Sequence, residues 1–154
     1  MKKEVYAILL GYFKSQTTEI YKLLEKIKNT KPADIEKSVY LAYSLHNLYC
    51  AFEDLFKEVA KTFENQISDL SKYHRELLKR MSFDIPGIRP MLLSEASYTV
   101  LDELRSFRHV FRHSYTYNIE SEKVKYLKNK ILVAWNEIEK DLNNFKEFLE
   151  DKLI

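Results

Sequence analysis

Residues 104 to 119, LRSFRHVFRHSYTYNI, carry three arginines, two histidines and two tyrosines, and no carboxylate. Elsewhere in the chain acids and bases are interspersed, so this is a local shift in composition. On a helical wheel with Arg105 at zero, Arg108, His109, Arg112 and His113 fall at about −60°, 40°, −20° and 80°. All five cations and imidazoles share one broad face, while Phe107 and Phe111 point into a neighbouring sector. Guanidinium groups are multidentate donors to phosphate, and an imidazole moves protons near neutral pH. The cluster therefore reads as a phosphate site with acid–base capacity. Arg108 and His113 are its catalytic candidates, and Arg105, His109 and Arg112 its substrate-binding ones. The helix macrodipole also favours cations at a C-terminus, but accounts for one or two of the five.

A metal pair is the competing chemistry. His109 and His113 stand at i, i+4, and Glu53 or Asp54 of an upstream helix could add carboxylates. Three neighbouring guanidinium groups oppose a divalent cation, so no metal and no cofactor is expected. Cys50 lies among apolar residues and reads as a core thiol rather than a nucleophile. His46 and Asn47 are polar residues near an apolar face, suited to supporting the site or a dimer contact, or to buried hydrogen bonding. Glu53 could hold Arg108 in place. Trp135 reads as core and His74 as surface.

These residues need long helices to position them. With only two glycines and three prolines in 154 residues, the chain lacks the turn-formers that a β-sandwich or an α/β fold requires. Apolar spacing predicts five helices, at about Lys3–Ile27, Ala33–Asn65, Ser68–Met81, Leu92–His113 and Glu122–Lys152. The first helix stripe includes Val5, Ile8, Leu9, Tyr12, Ile20, Leu24 and Ile27. That of the fourth is Val100, Leu104, Phe107 and Phe111. Pro32 suits the first turn of the second helix, and Pro86-Gly87 with Pro90 marks the long loop at 83–90. The expectation is one domain over 1–154, an all-α up-and-down bundle in which two long helices pair. The basic cluster sits at the C-terminal end of the fourth helix. No stretch approaches a membrane span, the apolar start fits an amphipathic helix better than a signal peptide, and one cysteine suits a reducing, cytoplasmic setting. A net charge of +2 decides nothing about partners.

Arg108, His113 and Tyr115 spell R-x4-H-x-Y, and the longer LRSFRHVFRHSY, the upstream YSLHNLYCAFEDLFKEVAKTFE and the Arg89-Pro90 pair extend the match. In this the chain resembles the HepT toxins of the HEPN superfamily. The resemblance implies a metal-independent endoribonuclease acting on RNA, and a homodimer whose two motifs face one cleft. It also implies a nucleotidyltransferase antitoxin, MNT, that silences the toxin by adding AMP to the motif tyrosine, here Tyr115. Arg108 and His113 are five positions apart, so they diverge by about 140° on a straight helix. A two-fold axis near the helix end would gather both pairs around one phosphate. A non-catalytic HEPN-type scaffold binding nucleotide or RNA, and a bundle used only for protein contacts, are the other readings. Ile119-Glu120 stands where a Leu-Asp type pair is expected, which bears on how an antitoxin docks.

Overall fold

The computed structural model describes residues 3–64, 73–113 and 120–154, without the side chains of 109, 110, 112 and 113. It is an all-α bundle of five helices, α1 Lys3–Asn29, α2 Ile35–Phe63, α3 Tyr73–Arg80, α4 Glu95–His113 and α5 Ser121–Asp151. There is no strand among the described residues. None of the helices there is long and apolar enough to cross a membrane.

Helix α2 is the hub, touching all four other helices. Its sequence explains why. Leu41, Leu45, Leu48, Phe52, Leu55, Phe56 and Val59 recur around more than one face, and all are fully buried. A helix greasy on several sides must be surrounded. What remains in solvent is one narrow strip, running through Lys37, Tyr40 and Tyr43 to Asn47, Cys50 and Asp54.

The expected boundaries shift where side chains cap or tether the backbone. The second helix starts at Ile35, not Ala33, because Asp34 is extended and its carboxylate accepts from the Lys37 N–H at 2.8 Å. Pro32 thus precedes the cap rather than entering the first turn. The fourth helix starts at Glu95, not Leu92. Leu92 and Leu93 both donate their N–H groups to the Met81 carbonyl, which holds their side chains in the core ahead of the helix. Residues 68–72 of the expected third helix lie outside the described residues.

Two burial expectations are corrected. In α1, Val5 and Ile8 face solvent, Ile8 being 74% exposed, while Leu9, Leu10 and Phe13 are buried. The stacked pair Phe13–Phe145 (5.8 Å) sets the rotation of the helix and turns Ile8 outward. Trp135 sits at the core's edge, partly buried and edge-on to Tyr21 and Phe52.

The entrance of α4 is clamped to α5 by one carboxylate. Asp141 Oδ2 accepts from the Ser94 N–H (2.9 Å), Ser94 Oγ (2.7 Å) and Ser97 Oγ (2.5 Å). Ser97 is wholly buried, so loss of the acceptor strands a hydroxyl away from water. Asp141→Ala is expected to lower the unfolding free energy by about 2–3 kcal/mol, with Asp141→Asn recovering part of it. Urea denaturation followed by circular dichroism measures this, and an unchanged midpoint in the alanine variant would contradict the clamp.

Ahead of α4 the chain makes a tight turn. Ile85 and Arg89 pair as an isolated antiparallel bridge, and the Ile88 N–H returns to the Ile85 carbonyl. Pro86 and Gly87 occupy the corner, Gly87 at φ 78°, the pattern of a type II turn. The turn delivers Arg89 inward, where its side chain has no exposure. It forms a fork on Glu64 at the end of α2, with Nε at 2.7 Å and the second contact from Nη2. It also donates to the carbonyls of Arg80, Phe83 and Pro90. One guanidinium thereby ties together the ends of α2 and α3 and the approach to α4.

Candidate active site

The site forms where the C-terminal half of α4 lies on the solvent strip of α2. Leu101, Leu104 and Phe107 are buried on α4's inner side and fix its rotation. That rotation brings Arg105 and Arg108 near Tyr49 of α2, with Arg108 also beside Cys50.

Arg108 does not point freely into solvent. Its guanidinium lies against the Cys50 sulfur, and its Nε is buried with no hydrogen-bond partner among the described residues. Buried donors are normally satisfied, so this one asks for an acceptor. The Nε itself is closed to solvent, so any anionic oxygen would meet the remaining guanidinium donors, whose charge-assisted bonds are the strong ones. Beside it, Phe111 stacks on His46 with ring centroids 4.9 Å apart and planes at 23°, and Tyr43 tilts against the Phe111 ring at 6.3 Å. His46 Nε2 is 3.7 Å from Cys50 Sγ. A continuous series of contacts therefore runs from Tyr43 through Phe111, His46 and Cys50 to Arg108.

Burial, reinforced by the neighbouring Glu53 carboxylate and partly offset by Arg105 and Arg108, raises the Tyr49 hydroxyl far above its ordinary range. Burial also pushes the Cys50 thiol up, although Arg108 draws it back. Cys50 is half-buried rather than a core residue, and a thiol held protonated is a poor nucleophile.

Three expectations from the sequence change. Residues 104–119 contain no acid, yet Arg105 is balanced by Asp102 one turn upstream, Nε to Oδ1 at 2.8 Å. Glu53 does not hold Arg108. Its buried carboxylate accepts from His74 Nδ1 at 2.7 Å and faces Lys57 at 3.8 Å. His74 is accordingly a part-buried member of the ring of polar groups around the site, not a plain surface residue. Glu53 and His74 are 21 residues apart, on helices whose docking no local pattern reports.

Asn47 lies half-buried on the same strip of α2. His113 ends α4. The side chains of His109, Arg112 and His113, and the whole of Tyr115, fall outside the described residues. The structure thus brings Arg105 and Arg108 to Tyr49, with Arg108 also against Cys50. Among the described residues no group of three His, Cys, Asp or Glu side chains converges in a way that could hold a metal ion.

A family model described as HepT-like protein matches residues 40–149, from the second turn of α2 to the last turn of α5. No curated protein and no solved structure shows significant similarity to the chain. The match covers well over half the sequence and includes the segments of α2, α3 and α4 that build the site. An all-α bundle with an arginine presented near the end of its fourth helix belongs, on this match, to the HepT-like family of HEPN-type, toxin-like proteins.

Proposed function

We propose that the chain is a metal-independent endoribonuclease toxin. The observation that carries this reading is Arg108. Its buried guanidinium nitrogen has no acceptor among the described residues, and it lies in the family-matched region, less than two turns from the end of a helix that closes on His113. In the proposed reaction His113 takes the proton of an RNA 2′-hydroxyl. The 2′-oxygen bonds to the adjacent phosphorus, the bond to the 5′-oxygen breaks, and the partner subunit's His113 protonates that leaving oxygen. The products are a 2′,3′-cyclic phosphate and a 5′-hydroxyl. Arg108, aided by Arg105 and Arg112, stabilises the charge growing on the phosphoryl oxygens. His109 and Asn47 assist in holding the substrate and the site.

A homodimer supplies both histidines to one linkage. The antitoxin is a nucleotidyltransferase. In its reaction the Tyr115 hydroxyl attacks the α-phosphorus of a nucleoside triphosphate and pyrophosphate leaves. The added phosphate brings negative charge and bulk into a cationic cleft, which opposes RNA binding.

Purified protein incubated with single-stranded RNA in EDTA tests the scheme. Cleavage should persist under chelation, DNA of the same sequence should stay intact, and His113→Ala should remove activity with the helical signal unchanged. Cutting of DNA, or loss of activity on chelation, would overturn it.

A further inference from the structure

The solvent strip of α2 leads away from Arg108 toward the start of the helix, and its chemistry is uneven. Tyr43 and Tyr40 present large rings to solvent, 53% and 47% exposed. Next comes Lys37, which with Lys31 and Tyr40 lines a hollow of about 380 Å³ beside Asn29 and Thr30. Lys31 also lines a second hollow, of about 340 Å³, with Lys125, Lys128 and the acid Glu122 at the start of α5. Asp34, beside this end, is occupied in capping α2. In the opposite direction, beyond Cys50, acids and bases alternate, with Asp54 paired to Lys57 and Glu58 followed by Lys61.

We infer that Tyr40 and Tyr43 are a stacking platform for unpaired bases flanking the linkage held at Arg108, with Lys37 and Lys31 receiving the phosphates beyond them. This rests on the reading of the Arg108 site as an RNA site. Exposed aromatic rings interleaved with lysines suit single-stranded nucleic acid, because every base has a face to stack and every nucleotide a charge to neutralise. The placement is specific. Tyr43 already contacts Phe111, so a base stacked on it continues the ring series that ends at Arg108. From Lys37 to Cys50 the strip is about 20 Å long at 1.5 Å per residue, room for a short run of nucleotides. A duplex keeps its bases stacked on one another and gains nothing from the rings.

The test is fluorescence anisotropy with a labelled single-stranded RNA decamer, 2′-O-methylated throughout so that its nucleophile is capped and it cannot be cut. Tyr40→Ala/Tyr43→Ala should weaken binding at least about tenfold, and Tyr40→Phe/Tyr43→Phe should stay within about twofold of the parent. Lys31→Ala/Lys37→Ala should reduce the slope of log affinity against log salt by about 0.7 for each phosphate no longer neutralised. A self-complementary duplex of the same composition should be indifferent to both tyrosine variants.

The inference fails if the parent does not bind the decamer or if the alanine pair binds as well as the parent. It fails equally if light scattering shows that the alanine pair changes the oligomeric state without changing RNA affinity. In that case the strip is a contact between copies. Cleavage of unmodified RNA is scored separately. Binding through the tyrosines without cleavage would defeat the ribonuclease reading and leave the platform standing. Cleavage with no effect of the tyrosines on binding would do the reverse.

Discussion

Arg108→Met should lose RNA cleavage by about 10²- to 10³-fold while unfolding no more easily than the parent. The first half follows from the role proposed for the guanidinium. Removing one preorganised donor aimed at developing phosphoryl charge typically costs about that factor. The second half follows from its surroundings. The Nε is buried without an acceptor among the described residues, so the folded chain bears the desolvation of that group uncompensated. Methionine keeps an apolar side chain of similar length and removes the stranded donor. Stability should hold or rise by about 1 kcal/mol, the trade between activity and stability expected of a binding site. Single-turnover cleavage and thermal melting, measured on the same preparation, decide it. A marked fall in melting temperature with unchanged cleavage would make Arg108 a structural residue and remove the basis of the proposed function.

The largest effect on folding is expected at Arg89. Breaking a buried, hydrogen-bonded ion pair by removing one partner costs about 3–5 kcal/mol, because the other charge is left buried. Arg89→Ala strands Glu64 and also takes the donor from three carbonyls, those of Arg80, Phe83 and Pro90. A domain of this size has a total of about 5–15 kcal/mol, so a large fraction of the variant should be unfolded at physiological temperature. Arg80 also reaches Glu64, at 3.4 Å, and limits the damage. Arg89→Lys keeps the charge but not the planar fork, and should fall between the two. Urea titration gives the order, and an Arg89→Ala midpoint close to that of the parent would show that Arg80 suffices for Glu64.

Much of this architecture can be read from residue types. The α2 stripe is legible because Leu, Phe and Val recur at three and four, and the loop at 83–90 because Pro86, Gly87 and Pro90 crowd together. The departures share a cause. Leu92 and Leu93 look like helix residues, and only the Met81 carbonyl, in another element, keeps them out of α4. Val5 and Ile8 fit the α1 period as well as Leu10 and Phe13 do, and a contact with Phe145 decides between the two phases.

At the site, a helical wheel places Arg105 and Arg108 on one arc but does not say which edge of the arc meets α2. Asp102 stands just outside the acid-free stretch, so its pairing with Arg105 is hidden from a reading of that stretch alone. Glu53 is legible as a supporting residue, but its partners are not, because His74 arrives from a different helix. The tyrosine platform needs the structure. Eleven tyrosines in the sequence do not reveal that Tyr40 and Tyr43 are left in solvent side by side, with Tyr40 against a lysine-lined hollow.

The carboxylate that clamps α4 at its entrance also bears on the rate of the proposed reaction at its exit. Ser94 and Arg108 are about 21 Å apart along the helix axis. Treated as a rigid lever pivoting on Asp141, α4 converts a tilt of about 5° at the fulcrum into about 2 Å of travel at the guanidinium. A misplacement of about 1 Å can cost a hundredfold in turnover. In the proposed function, the aim of Arg108 is thus set in part by serine hydrogen bonds at the opposite end of the helix. Substitutions there should slow the chemistry without touching any group that performs it.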